Sequence, residues 1–450
     1  MNETSACANC PKVAELTARV AGLEEELRRG KRQAGPFSKD RPRPNPKPPG
    51  QKPGHPPAFR VAPPPEAVTE TIPVPLTTCP RCGTVVQKVA DNAPIFQTDL
   101  PPITPIVRRF DTQRGFCPCC RKMVHSRHPD QTSTAVGAAG AQIGPRAKAL
   151  AADLKHRLGL SFRKIADLFQ EHFGITVTPG AIVQSNERLA ERAAPAYADL
   201  QTQARESPAV HVDETGWRVG ARSTWLWVMA TKALTVYLIR PSRGHEVVEE
   251  VLGKRFGGVL ASDGLPTYEV VRARWKQTCL AHLLTRCKEL AASKTRGAVV
   301  FPRAVARLLR QAMDLRTRVP ALSAHGLAVV RGRIDAAFDR MLEYQRVDPD
   351  NERLAAHLFK HRAHLFTFLD HPEVDATNNL AERQLRPAVI ARKLSAGNRT
   401  DRGATTHALL ASLAATCRQR AQRFTAFAQR LLCLPPSAPP LLLAPAPLPP

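Results

Sequence analysis

Ala209-Val-His-Val212, Thr224-Trp-Leu-Trp-Val228, Leu234-Thr-Val-Tyr-Leu-Ile239 and Gly258-Val-Leu-Ala261 are four runs rich in β-branched and aromatic residues. Short turn-forming segments join the first three, and helix-forming residues fill Glu246–Leu252 ahead of the fourth. The pattern predicts three antiparallel strands, a helix, and a fourth strand ending at Ser262-Asp263-Gly264. In that topology strands one and four are neighbours. Asp213 lies just past the first strand, in His211-Val-Asp213-Glu-Thr-Gly-Trp217, and Asp263 just past the fourth. Both carboxylates then emerge at one edge of the sheet.

This strand order opens a ribonuclease-H-like core, and the rest of the chain divides around it. The expected fold is multidomain α/β: such a core with a helical insertion, preceded by a coiled-coil helix and a small zinc-binding domain. Val13, Leu16, Val20, Leu23 and Leu27 form an a/d seam, so residues 1–30 are expected to be a leucine-heptad helix that self-associates or docks on its own protein. Residues 31–66 hold 12 of the 41 prolines and eight Lys/Arg against two acids, which predicts an extended basic linker. Short strands are expected at 67–130. Residues 144–200 read as helical, with a possible helix-turn-helix across Leu160–Phe169 and Gly174–Val183; the alternative is two packed helices with no DNA role. The core occupies 205–285 and 371–433, split by a helical insertion at 286–370. The tail, 434–450, has eight more prolines and is expected to be disordered.

Two carboxylates a few ångströms apart repel unless a cation sits between them. Hard oxygen donors suit Mg²⁺ or Mn²⁺, and two such ions can act on a phosphodiester. Taken singly, Asp263 before a glycine also reads as a turn, and Asp213 has a similar bland reading. A third acid, Glu382, sits in Asn378-Asn-Leu-Ala-Glu382-Arg383-Gln-Leu-Arg386-Pro387, where the alternative is a surface Glu382–Arg386 helical pair. Pro387 is expected to end or kink that helix.

Composition points to a polyanionic partner. The 450 residues carry 65 Lys/Arg against 39 Asp/Glu, a net charge of +26. Residues 383–430 hold ten of those cations and one Asp, so Arg383, Arg386, Arg392 and Lys393 are candidate DNA-phosphate contacts. No apolar run approaches a membrane span, and the first residues lack the pattern of a secretory signal. Without an export signal, Cys79-Pro-Arg-Cys82 and Cys117-Pro-Cys-Cys120 read as four thiolate ligands of a structural Zn²⁺ before disulfides, with Cys119 as an alternative to Cys120. Cys7-Ala-Asn-Cys10 is a third, weaker pair. Cys279 and His282 make a Cys-x-x-His that either supports the acidic site or ligates metal.

Nearly end to end, the chain resembles the DDE transposases of the insertion-sequence-66 family. The similarity takes in the N-terminal helix, Gly50-Gln-Lys-Pro-Gly-His-Pro56, both CxxC pairs and His211-Val-Asp-Glu-Thr-Gly-Trp217. It continues through Ser262-Asp-Gly264, Cys279-Leu-Ala-His282, Asn378-Asn-Leu-Ala-Glu-Arg383, Leu385-Arg-Pro387, Arg392-Lys393 and Asp401-Arg-Gly403. Leu265-Pro266 departs from the family's usual aromatic-containing turn, and the Pro-rich tail looks private to this chain. The resemblance implies that Asp213, Asp263 and Glu382 are the DDE triad of a transposase, holding Mg²⁺ or Mn²⁺. Its expected partners are transposon-end and target DNA, a second copy of the chain, and accessory proteins of the same element. The expected location is the cytoplasm, on the nucleoid when bound to DNA. The competing readings are a nuclease of the same fold without strand transfer and a zinc-bearing DNA-binding regulator with an inactive core.

Overall fold

The computed structural model describes residues 15–21, 24, 61–87, 89–101, 103–132, 135–136, 142–435 and 437–445. The chain forms two compact units, Met1–Thr104 and Pro105–Pro450. In the first, residues 15–21 are helical, with Leu16 and Val20 exposed. Val13, Leu23 and Leu27 of the heptad lie outside the described residues, as do Cys7, Cys10 and most of the proline-rich linker. Cys79–Cys82 is a tight turn. The Gly83 N–H donates to the Cys79 carbonyl (2.8 Å), and Thr78 bridges to Val85 across it.

The second unit opens with a hairpin, β1 (Arg114–Cys117) and β2 (Lys122–His125), paired from Arg114↔His125 to Cys117↔Lys122. Helices α1 (Pro145–His156), α2 (Phe162–Phe173) and α3 (Pro179–Glu206) follow. The Ser161 and Thr178 hydroxyls cap α2 and α3 at their N-termini, and Gly174 ends α2 in the left-handed region. A helix-turn-helix shape is therefore present. Its second helix, however, runs 28 residues, and its Leu189, Ala193, Ala196 and Leu200 are buried in the core of the sheet.

The sheet is mixed and five-stranded: β3 (Ala209–Val219), β4 (Arg222–Ala230), β5 (Thr235–Arg240), β6 (Phe256–Ser262) and β7 (Ala273–Thr278), in the order β5-β4-β3-β6-β7. β3, β4 and β5 are antiparallel; β6 and β7 run parallel to β3. The expected adjacency of the first and fourth strands is observed. Helix α4 (Glu246–Leu252) makes the crossover between β5 and β6. The edge strand β7 was not foreseen, because Ala273-Arg-Trp-Lys-Gln-Thr278 has basic, half-exposed positions in place of an apolar run.

Side-chain alternation along β3 assigns the two faces. Val210 and Val212 pack with Trp227, Met229, Leu238 and Leu260 onto α3 and α4. Ala209, with Val259 and Ala261 of β6, faces helices of the insertion. These are α6 (Leu280–Ser293), α7 (Val300–Arg318), α8 (Ala324–Leu342) and α9 (Pro349–Lys360), with short α5 (Pro266–Val270) before β7 and α10 (Thr367–Asp370) after α9. On that second face, α11 (Asn379–Ser395) sets Leu380, Ala381, Leu385 and Ala388 against Leu226, Val228 and Tyr237. Helices α12 (Asp401–Gln419) and α13 (Phe424–Cys433) close the unit.

Two expectations are corrected here. Pro387 neither ends nor divides α11, which runs on to Ser395. A proline deletes one main-chain hydrogen bond, and the burial of Ala388 and Ala391 on the far side of it keeps the helix continuous. The tail is not wholly unstructured. Leu443 is buried in the core, and Arg420 and Gln422 donate to the Ala444 carbonyl (2.8 and 3.0 Å). Proline forbids a helix there without forbidding an extended strap. Among the described residues, no helix is long and apolar enough to cross a membrane.

Candidate active site

The parallel ladder between β3 and β6 ends at His211↔Ala261. Asp213 and Asp263 each lie two residues further along the chain, Asp263 just past the end of β6 at Ser262. Asp213 is inside β3, not beyond it. After the β6 ladder stops, β3 continues against β4 alone, from Asp213↔Val228 to Val219↔Arg222. Asp263 begins a turn in which its carboxylate accepts from the Leu265 N–H (3.1 Å), with Gly264 at φ +83°.

Glu382 is in the first turn of α11, and its helix is fastened to the strand that carries Asp213. Buried Asn378 donates from its side-chain nitrogen to the Val212 carbonyl (2.8 Å). Its other amide atom, Oδ1, lies 3.3 Å from His211 Nδ1. The Asn378 main-chain N–H reaches the Cys279 sulfur (3.1 Å), and its carbonyl accepts from the Glu382 N–H (3.2 Å). One residue thus links β3, the start of α6 and the acid-bearing helix.

The electrostatics record the convergence. Burial pushes the Asp213 carboxyl up to about 7; the negative charges of Asp263, Glu214 and Glu382 add to it, and the Glu214 N–H opposes it. Burial also raises Asp263, helped by Glu214 and opposed by the Leu265 N–H, His282 and Arg243. His282 Nε2 lies 3.9 Å from Glu382 Oε1. The hydrogen bond with Cys279 raises this histidine to about 9, with Cys279, Glu382 and Asp263 adding negative charge. Protonated, this imidazole balances the charge of the acids; deprotonated, it offers a lone pair, so the Cys279–His282 pair can either support the acids or ligate a metal.

Among the described residues, Cys279, His282 and Glu382 are the group whose donor atoms all fall within 4.8 Å of one another. Asp213, Asp263 and Glu382 act on one another electrostatically but do not meet that distance as a set. Their chemistry still fits a divalent cation. They are hard oxygen donors, partly desolvated, and one carboxyl is pushed up to about 7 by burial, with its neighbours' negative charge adding to it.

Sequence reasoning missed several residues here. Glu214 alternates to the opposite face of β3, its side chain 2% exposed, paired with Arg243 (2.8 Å) and hydrogen-bonded by the Tyr268 hydroxyl. Arg243 stacks on Trp225, 4.3 Å from the ring centre. Asn398 accepts from the Trp217 indole (2.9 Å) and donates to the Gly403 carbonyl (3.0 Å). The neighbouring Gly397, at φ +98°, is needed because a β-carbon there would sit 2.4 Å from the Arg218 carbonyl.

The basic residues of α11 divide. Arg383 and Arg386 are exposed beside Glu382. Arg392 turns back to the strand, bonding Thr215 Oγ1 (3.2 Å) and the Gly216 carbonyl, so it fastens the helix to β3. Lys393 is exposed near the helix C-terminus. The cysteine pairs sit in the two units: Cys79 and Cys82 in the first, and Cys117 and Cys120, with sulfurs 3.3 Å apart, in the second. Hydrogen bonds from Thr84 lower the Cys82 thiol, and bonds from Cys120 lower Cys117, easing deprotonation of both.

A mixed sheet flanked by helices, with the helix that carries Glu382 tied to its central strand, makes the second unit an α/β fold. Residues 140–406 match the sequence model described as Transposase IS66 family, and the chain belongs to that family. It is also similar to the uncharacterized protein y4jD of Sinorhizobium fredii, 26% identical over 275 residues, which cover 54% of this chain and 53% of that protein. The chain thus spans about half the length of the curated relative it matches.

Proposed function

We propose that this protein is a DDE transposase that cleaves DNA at transposon ends and transfers the freed 3′-hydroxyl to target DNA, on a ribonuclease-H-like core. What supports this reading is the electrostatic coupling of Asp213 with Asp263 and Glu382 near the end of the parallel β3–β6 ladder, with Asn378 tying the helix that carries Glu382 to β3. The three carboxylates would hold Mg²⁺ or Mn²⁺, which when bound supply positive charge at the scissile phosphate. Asp213 gives up its proton to take up the cation. Protonated His282 balances Glu382 and keeps it aimed at the sheet edge. Arg383 and Arg386 contact flanking phosphates, with Lys393 further along the helix. Arg392 acts through its hold on β3.

In the same reading, Cys79, Cys82, Cys117 and Cys120 bind one structural Zn²⁺, and the N-terminal heptad pairs protomers so that two DNA ends are held together. Accessory proteins of the element join the complex, which works in the cytoplasm, on the nucleoid. The deciding experiment is a supercoiled plasmid carrying the element's ends, incubated with Mn²⁺ and the full chain. Nicking followed by joining is expected. Nicking without joining would make the protein a nuclease, and DNA binding with neither would make it a regulator.

A further inference from the structure

Beside Asp263 the insertion returns to the core and encloses an open cleft of about 490 Å³, lined in part by Ser262, Gly264, Lys276, Lys360, His361 and His364. Its cations come from separate elements: Lys276 from β7, Lys360 from the last turn of α9, and His361 and His364 from the turn that follows. His361 is 4% exposed, and its ring approaches Gly264 closely enough that a β-carbon there would stand 3.7 Å away. His357 stacks behind it, ring centres 4.5 Å apart, and Arg286 of α6 acts on His357.

One carboxylate faces this group. Glu269 binds Lys360 Nζ (2.7 Å) and lies 3.5 Å from His361 Nε2, while Lys276 donates to the Glu269 main-chain carbonyl (2.6 Å). Lys276 and Lys360 outnumber that single acid before any imidazole is protonated. Burial and mutual repulsion hold His357, His361 and His364 below the ordinary histidine value. The cleft thus has a surplus of cationic donors and shares Ser262 and Gly264 with the turn around Asp263.

We propose that this cleft binds a phosphate of the DNA strand next to the scissile one, so that the helical insertion positions the strand across the acidic edge. The inference rests on the transposase reading above. An uncharged base can accept a hydrogen bond from a lysine but cannot balance its charge, whereas a phosphodiester takes the place of Glu269 as their counter-charge. Glu269 thereby acts as an internal competitor that keeps Lys360 and His361 in place without DNA.

The test measures affinity of the full chain for a duplex bearing the element's terminal repeat, between about 50 and 200 mM salt. Lys360→Gln should make the log affinity–log salt slope shallower by about 0.9, the loss of one phosphate contact, and Lys360→Arg should restore it. Glu269→Gln should bind several-fold tighter, a gain that misfolding does not produce. An unchanged slope in Lys360→Gln, or unchanged affinity in Glu269→Gln, overturns the subsite. Inorganic phosphate at constant ionic strength that stabilises the DNA-free wild type but not Lys360→Gln would assign the cleft to free phosphate and overturn the strand. Glu382→Gln separates the two readings: it should lose nicking with its salt slope intact, and normal nicking there would remove the transposase reading instead.

Discussion

Asp213 and Asp263 stand two residues beyond His211 and Ala261, the last pair of the parallel β3–β6 ladder, and the charge of Asp263 acts on Asp213. Two half-buried acids so coupled cannot both ionise freely, and burial, with its neighbours' charge adding to it, pushes Asp213 up to about 7.

A pH-dependent metal affinity follows. The folded value of Asp213 lies above the ordinary carboxylate value of 3.8, so near pH 6 the folded chain holds a proton that the unfolded chain has lost. Metal-free stability from this group therefore grows as pH falls from about 7 toward 4. A divalent cation must displace the proton, so Mn²⁺ affinity should rise with pH up to about 7 and level off above it. Thermal stabilisation by Mn²⁺ at pH 6, 7 and 8 checks this. A shift that ignores pH, or that survives Asp213→Asn, would count against the site.

Asn378 should matter to chemistry more than to DNA binding. Asn378→Ala removes its bond to Val212 and its contact with His211, a loss of roughly 1–3 kcal/mol at about 0.5–1.5 per bond. It also frees the start of α11. Nicking should drop about tenfold or more while end-binding affinity stays within about twofold, since misplacement of a catalytic group costs rate steeply. Equal losses in both would mean that the residue serves the fold alone.

The sheet was legible because its strands are runs rich in β-branched and aromatic residues and its helix 246–252 has the composition of a crossover. Strand β7 was not, since Trp275 and Lys276 lie on an edge where burial leaves little pattern. Asp263 was legible from its place just past β6, whereas Asp213, read as lying past the first strand, stands inside β3. Glu214 was not legible: its neutralisation by Arg243 and Tyr268 comes from segments 29 and 54 residues away, and no local spacing encodes that. The same holds for Arg392, which charge counting groups with Arg383 and Arg386 but which the fold ties to Gly216. Leu443 shows the limit of compositional reading, because proline content says nothing of whether an intervening leucine finds a pocket.

Acid should unfold the protein through a buried histidine pair. His156 and His407 are buried, with their Nδ1 atoms 3.1 Å apart; His407 stacks on Trp217, and Asn186 holds the far side of His156. Burial lowers His407 to about 3 and His156 well below its ordinary value. Both bind a proton more readily unfolded, so the contribution is neutral above about pH 6.5 and stability falls as pH drops below it. Between pH 7 and pH 5 the loss is roughly 2 kcal/mol per histidine, at 1.36 kcal/mol per pH unit. Denaturant midpoints at these pH values test it, and His407→Gln should flatten the dependence. A slope unchanged in that variant would place acid sensitivity elsewhere.

Zinc content offers a direct check on the cysteine pairs. One Zn²⁺ per chain is expected, lost in Cys79→Ser/Cys117→Ser, with residues 67–130 becoming more open to proteolysis. Zinc-free protein, or zinc unchanged in that variant, would leave the turns at Cys79–Cys82 and Cys117–Cys120 as metal-free structure.

The third acid carries the sharpest prediction, because Glu373 and Asp375 lie close to Glu382 in sequence and the structure separates their surroundings. Glu373 is engaged with His371 at 2.9 Å, on the far side of the Asn378 clamp in sequence. Asp375 acts on buried His211 beneath the sheet edge. Glu382 alone sits in the first turn of α11, half-exposed, 3.9 Å from His282 and within electrostatic reach of Asp213. Glu382→Gln keeps size and hydrogen bonding and removes the charge. DNA-end binding should therefore persist while Mg²⁺-dependent nicking falls by about 10²-fold or more. Glu373→Gln and Asp375→Asn should cut within a few-fold of wild type, with any loss in Asp375→Asn accompanied by lower stability through His211. If Glu382→Gln cuts normally and either of the others does not, the third carboxylate is misassigned, and the bond from Asn378 to Val212 fastens a helix that serves DNA contact alone.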